Sequence, residues 1–184
     1  MRNWWELWPE GLPSDYCDAL VERARQLPAA EATVDHETDA RDTPDLRRST
    51  VRWLDDDPVL TADIMLFARK ANRNSFGFDI DEPVGIQFAE YHHTNAGTFG
   101  WHQDVNWVDP APSRRKLSFI AQLSDPSSYE GGDFEFQGPI NPGPELRNKG
   151  AVLIFPSFLY HRVTPVTSGI RYSLVSWVVG PNWR

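Results

Sequence analysis

The 184 residues include a single cysteine, Cys17, so no intrachain disulfide can form. A reducing compartment fits that usage. Long apolar runs are missing as well. None exceeds five residues, Ala151–Phe155 being one, against the roughly 20 needed to cross a bilayer. The opening segment Met1-Arg2-Asn3-Trp4-Trp5-Glu6 has no apolar signal core. We therefore expect a cytoplasmic protein with no membrane partner. There is no basic excess either. With 18 Lys and Arg against 26 Asp and Glu, the formal net charge is −8, so no nucleic-acid partner is expected. The short basic runs Arg47-Arg48 and Arg114-Arg115-Lys116 are most simply solvated surface. Internal repeats and low-complexity segments are lacking too.

What is present suits one domain over residues 1–184, with eight Trp and ten Phe available for a core. Residues 1–80 read as helical support and loop. Ser14 can cap a helix running to about Leu27, with Cys17, Leu20, Val21 and Ala24 on one face, and Pro28 stops it. Glu31–Arg48 is polar and without period: a lid over a site, or a plain surface loop. Asp57-Pro58 starts a second helix with Leu60, Ile64, Phe67, Ala68 and Ala71 as its buried stripe. Beyond Asn72 the period becomes two. Val84, Ile86 and Phe88 alternate with Gln87, Ala89 and Tyr91. Strands are expected at Leu117–Leu123, Asp133–Phe136, Ala151–Phe155, His161–Val166 and Arg171–Val179, separated by Gly and Pro markers such as Gly131-Gly132 and Ser168-Gly169. The fold class is therefore mainly β with N-terminal helices. A double-stranded β-helix (a cupin-like jelly roll) over residues 81–184, with helices packed on one sheet, suits this pattern.

His102-Gln103-Asp104 is the motif that carries chemistry. In extended chain, residues i and i+2 point to one side, so both side chains can reach one ion from a strand end. His161 would come from a neighbouring strand. Two imidazoles and a carboxylate on one face of a divalent iron ion leave its opposite face open. Ten positions after His161 stands Arg171, on one strand face with Ser173, Val175 and Trp177. Its planar fork suits a carboxylate, and Ser173 adds a hydroxyl donor. A buried Arg without an acidic partner is costly, so such a partner is expected.

Five motifs together resemble one family. They are His102-Gln103-Asp104, Leu123-Ser124-Asp125 with Gly131-Gly132, Gly150–Pro156, His161–Val166, and Arg171-Tyr172-Ser173. About residues 84–180 look like the prolyl-4-hydroxylase-type iron(II)/2-oxoglutarate dioxygenases, and within them the bacterial PKHD-type hydroxylases. The resemblance implies His102, Asp104 and His161 as iron ligands and catalytic centre, with Arg171 on the far carboxylate of 2-oxoglutarate. Tyr91 stands where the family often has a tyrosine that bonds this co-substrate, though a core tyrosine is the competing reading. Gln122 falls where some members carry a second tyrosine, and its amide can still donate. Iron(II), 2-oxoglutarate and O2 are the implied cofactors, with ascorbate as an auxiliary reductant. The implied reaction hydroxylates a prolyl residue or an amino-acid-like small molecule, with 2-oxoglutarate decarboxylated to succinate and CO2. Asp104 favours hydroxylation over halogenation, because halogenases of the superfamily replace that carboxylate.

Demethylation, desaturation or cyclisation with the same cofactors is an alternative outcome. A non-catalytic cupin-like metal-binding or ligand-binding module is another. Trp101, Asn106 and Trp107 flank the motif and are the candidate substrate contacts, with Phe99 as a further wall. Arg47, Arg52 and Arg115 could each bind a substrate carboxylate, and the residues alone do not rank them. His92, His93 and His36 are not assigned as ligands. Trp4, Trp5 and Trp8 could form an oligomer interface or pack on the first helix.

Overall fold

Leu117, Phe119 and Ala121 point one way from their strand, Ser118, Ile120 and Gln122 point the other, and all six are buried. A strand covered on both faces needs a layer on each side, and the fold supplies them. The computed structural model describes residues 2–31, 47–55, 57–105, 107, 113–138 and 141–183. Most of the Glu31–Arg48 loop, with His36 and its lid reading, and also Asn106, lie outside the described residues.

The chain opens with β1 (Glu6–Trp8), α1 (Ser14–Arg25), β2 (Ala30–Glu31), β3 (Arg47–Arg48), β4 (Thr50–Trp53) and α2 (Pro58–Ala71). Then come β5 (Pro83–His92), β6 (Thr98–His102), β7 (Ser113–Gln122), β8 (Tyr129–Gly131) and β9 (Phe134–Phe136). The last three are β10 (Val152–Pro156), β11 (His161–Val163) and β12 (Val166–Pro181). One sheet runs β1-β10-β7-β12-β5-β4-β2, with β8 added on β12, and the other runs β3-β6-β11-β9. The pairings are antiparallel. This is the expected jelly roll with helices on one sheet. Among the described residues, however, four of its strands come from the first 53 positions, so the lead-in builds sheet as well as helix.

The helices start and stop for local reasons. Asp57 caps α2, its carboxylate accepting from the N–H groups of Val59 and Leu60 at 2.9 Å each, with Pro58 in the first turn. Leu60, Ile64, Met65, Ala68 and Ala71 are buried, and a π-turn over Asn72–Phe76 ends at left-handed Gly77. In α1 the cap position falls to Pro13 and not to Ser14, and no side chain caps it. Pro fixes its own φ and presents no N–H, so the turn closes one residue earlier than a serine cap would require. Cys17, Leu20 and Ala24 face inward as the spacing implies. Burial pushes the Cys17 thiol up to about 11, which leaves it a small core residue with little thiolate at neutral pH.

The outer face of the large sheet forms the main core with both helices, through Ile86, Phe88, Leu117, Phe119, Ile154 and Leu174. The inner face looks across the sandwich. Trp8 packs edge-on against Phe67 of α2, and Trp5 stacks on Phe136 of the small sheet, whereas Trp4 stays exposed. His161–Val166 and Arg171–Val179 are not two simple strands. β11 stops at Val163, and β12 runs unbroken through Ser168-Gly169, where it pairs with β8 across an irregularity in register. Among the described residues no helix is long and apolar enough to cross a membrane.

Candidate metal centre

β11 lies between β6 and β9, and its first residue, His161, pairs directly with His102, the last residue of β6. The two imidazoles therefore meet, with ring centres 4.1 Å apart. Asp104 is not on the strand. It lies in a bend past β6, where its own N–H and that of Val105 both donate to the Ser157 carbonyl, at 2.9 and 3.2 Å. That anchor turns its carboxylate back on the histidines. Asp104 Oδ1 is 3.6 Å from His102 Nε2, and Oδ2 is 3.5 Å from His161 Nε2. All three residues are buried, and their ligand atoms lie within 4.8 Å of one another.

The donor set has a clear electrostatic character. Nδ1 of His102 donates to the Gly100 carbonyl, and Nδ1 of His161 to the Leu159 carbonyl, both at 2.8 Å. A carbonyl only accepts, so Nδ1 carries a hydrogen in both rings, and Nε2 presents a lone pair when the ring is neutral. Burial, with His102 nearby and against the pull of Asp104, pushes His161 down to about 4 and keeps it neutral at pH 7. For Asp104, burial favours the neutral acid. The positive charge that the His161 and His102 rings carry when protonated, with a 2.6 Å hydrogen bond from Ser118, outweighs it and holds the carboxyl well below its usual range. Ser118 in turn contacts Ser157 Oγ at 3.0 Å. With the rings neutral, two lone pairs and a carboxylate thus converge in a buried site with no hydrogen between them. That arrangement is repulsive alone and fits a divalent cation. Donors with outer partners of this kind are what hold a metal in fixed orientation.

Arg171, Tyr91, Ser173, Val175 and Trp177 line the same cavity as the three ligands. Arg171 pairs in register with Tyr91, and its guanidinium carbon lies 5.4 Å from the centre of that ring. Its Nη1 is 3.5 Å from Ser173 Oγ, and among the described residues no carboxylate neutralises it. Space for its stem exists because residue 132 is glycine. A Cβ there would come within 2.9 Å of Arg171 Cδ, at a positive φ of 63°. A second hollow of about 310 Å³ shares Arg171 and Phe134 with the lining of the first. Gln122 and Tyr129 line it, joined by a 2.8 Å bond from the amide Nε2 to the phenol oxygen. A tyrosine is therefore near the clamp after all, delivered by β8.

The flanking aromatics divide. Phe99 lines the cavity and stacks on His102, ring centres 3.5 Å apart and planes 13° apart. Trp101 is turned outward, under the guanidinium of Arg162 at 4.7 Å. Trp107 is half exposed, bonds Gln103 Oε1 at 3.2 Å, and is not among the cavity residues. Phe99 reaches the cavity through an irregularity in β6. His161 faces His102 while Val163 faces Phe99, so residues three apart share a side and the simple alternation fails. His92 faces Glu90, and His93 contacts the Gly169 carbonyl; neither is in the cavity. Sequence reasoning missed Tyr129, which no periodicity marks. It also missed Ser118, which the inward parity of β7 could have identified.

Residues 86–179 match the model of the 2OG-Fe(II) oxygenase superfamily. A PKHD-type hydroxylase of Synechococcus sp. strain CC9605 is 43% identical over 82 residues, 44% of this chain and 36% of that protein. One from Shewanella sp. strain ANA-3 is 27% identical over 154 residues, 68% of this chain and 66% of its own length. The match thus spans little more than a third of the Synechococcus relative. Among solved structures, a viral collagen prolyl hydroxylase from Paramecium Bursaria Chlorella virus-1, in complex with 2-oxoglutarate, superposes with a TM-score of 0.68 at 20% identity. That alignment covers 97% of both chains. A prolyl hydroxylase from Trichoplax adhaerens, in complex with a hypoxia inducible factor peptide fragment, gives 0.72 at 15% identity, covering 96% of this chain and 83% of that one. At these identities the likeness concerns the fold.

Proposed function

This chain belongs to the 2OG-Fe(II) oxygenase superfamily, and from that premise we propose that it hydroxylates a prolyl residue or an amino-acid-like small molecule. The observation that carries the reading is the convergence of His102 Nε2, His161 Nε2 and the Asp104 carboxylate in one buried cavity with an acid-free Arg171. A cation site and an anion clamp side by side are what a metal-chelating di-acid requires. The PKHD-type relatives and the prolyl hydroxylase neighbours support the hydroxylation outcome. A cytoplasmic location fits the lone buried cysteine.

When bound, iron(II) with 2-oxoglutarate and O2 supplies the oxidising chemistry, and 2-oxoglutarate leaves as succinate and CO2. His102, Asp104 and His161 would hold the ion from one side and leave its other side to the reactants. The Gly100 and Leu159 carbonyls keep both rings in the ligating tautomer, and Ser118 keeps Asp104 in place. Arg171 and Ser173 receive the far carboxylate of the co-substrate, beside Tyr91. Ile120, Phe134, Val163 and Val175 give the cavity apolar walls that exclude water from the reacting atoms.

The test is O2-dependent succinate formation from 2-oxoglutarate by iron(II)-loaded protein, alone and with a prolyl peptide, L-proline or other amino acids. Succinate that rises with one additive is expected. No succinate from protein shown to contain iron and 2-oxoglutarate would favour a binding module instead.

A further inference from the structure

Three arginines are available to hold a substrate anion, and their surroundings separate them. Arg52 is already neutralised, forming an ion pair with buried Glu90 and donating Nε to the Leu27 carbonyl at 3.0 Å. Arg115 lies 3.8 Å over the ring of Trp177, donates to the Asp104 carbonyl at 3.4 Å, and is not a cavity residue. Arg47 is different. It comes from β3 on the edge of the small sheet, in register with Phe99, and lines the cavity that holds His102, Asp104 and His161.

Among the described residues Arg47 is held by neutral groups only. Nη2 donates to Gln87 Oε1 at 2.6 Å, on the inner face of the large sheet, and Nε donates to Ser49 Oγ at 2.8 Å. Its guanidinium carbon lies 4.6 Å from the centre of the Phe99 ring, the same ring that stacks on His102. Nη1 is left without a protein acceptor among the described residues. The indole N–H of Trp177, another residue of the cavity lining, is buried and also has no acceptor among the described residues. A molecule bound there with acceptor atoms would find donors to match them.

Charge points the same way. Among the described residues the cavity lining carries two guanidinium groups, Arg47 and Arg171, and one carboxylate, Asp104. A divalent ion adds two positive charges, and 2-oxoglutarate brings two negative ones. One positive charge then remains beside apolar walls, where an uncompensated charge is costly. The two carboxylates of 2-oxoglutarate are taken up by the ion and by Arg171, so neither is left for Arg47.

We propose that Arg47 is a specificity-determining residue that binds a carboxylate of the substrate, and that the substrate is a small molecule carrying a free carboxylate. This rests on the oxygenase reading above. It selects the amino-acid-like branch of that reading over an internal residue of a neutral peptide. Arginine suits the task because its fork meets both oxygens of a carboxylate, and the bonds to Gln87 and Ser49 hold the fork in place before the substrate arrives.

The test measures binding, without turnover. The whole protein, loaded with manganese(II) as a redox-stable stand-in and with 2-oxoglutarate, is titrated without O2. The probes are N-acetyl-L-amino acids, N-acetyl-L-proline included, each against its primary amide. A short peptide ending in a free prolyl carboxylate and its amide separate a chain terminus from a small acid as the source. An end-blocked peptide with an internal proline is the neutral alternative. At least one acid should bind more tightly than its amide by a factor on the order of 10 to 100. Arg47→Gln should remove that preference, and Arg47→Lys should restore part of it. The acid-to-amide ratio of the wild type needs no variant, so a misfolded Arg47→Gln does not block the test. Equal binding of every acid and its amide, including no measurable binding of either, overturns the inference. So does a preference that survives in folded Arg47→Gln, or an end-blocked peptide that binds more tightly than every acid. Binding of 2-oxoglutarate is followed in the same experiment. If the wild type fails to bind it, the oxygenase reading itself falls; if it binds while acids and amides are equal, only the role of Arg47 does.

Discussion

The two faces of the large sheet are built from the same strands and buried to the same degree, yet they differ in kind. On the outer face Ile86, Phe88, Phe119 and Leu174 meet the helices in one apolar cluster. On the inner face the alternate residues are Gln87, Tyr91, Ser118, Gln122, Arg171 and Ser173, equally hidden from water. Burial of the first set removes hydrocarbon from water and stabilises the fold. Burial of the second costs free energy unless each group is paired, and several are paired only with neutral neighbours. The outer face is built for stability and the inner face for binding ligands.

Mutations should separate the two faces. The largest effect is expected for His161→Ala, which should abolish O2-dependent succinate formation and weaken iron(II) binding beyond the roughly hundredfold loss seen when an outer-shell partner is removed. Metal titration and product assay check this, while thermal unfolding of the metal-free protein should change little. Phe88→Ala on the outer face should do the reverse, costing about 3–5 kcal/mol in urea unfolding by leaving a cavity under the helices. Iron binding per folded molecule should be unaltered.

Next, Arg171→Gln should weaken 2-oxoglutarate binding on the order of 10- to 100-fold in calorimetry. Because no protein carboxylate is left behind, its stability should stay near that of the wild type. Asp57→Ala, away from both faces, should cost about 1 kcal/mol through loss of the α2 cap. Burial opposes ionisation of Asp57, but the Leu60 N–H, Arg23 and the Val59 N–H hold its carboxyl below the usual range. The difference between wild type and variant should therefore be full above about pH 4, the ordinary value for an aspartate, and vanish as pH falls through the lowered one. Smallest of all, Trp101→Ala should leave 2-oxoglutarate binding unchanged and stability within about 0.5 kcal/mol, since its ring is on the outside of the small sheet.

Much of this was legible in the residues. The alternation along β7 and β12 gives both faces of the large sheet, and the Asp57-Pro58 pair gives the start of α2. The placement of His102 beside His161 also follows once the two lie on neighbouring strands. Other features were not legible, for physical reasons. A strand of two residues, such as β3, is too short for any period to register, so Arg47 looked like surface. The irregularity in β6 reverses the side on which Phe99 would be placed, and bulges leave no mark in hydropathy. Asp104 reaches its partners from a bend fixed by the Ser157 carbonyl, a contact 53 residues away in sequence that no local pattern encodes. Tyr129 arrives from the far side of a turn.

One property of β12 bears on how such a chain can change over generations. The strand runs Val166–Pro181 and pairs with β5, β7 and β8. Loss or gain of a single residue ahead of Arg171 would exchange its two faces. Leu174 would turn into the cavity, and Arg171 would be pressed beneath the helices without an acid. Substitutions can be tried there one at a time, but a change of length must come in pairs or be absorbed by a new bulge. Drift in this family member is therefore expected to be permissive in spelling and strict in reading frame along this one segment.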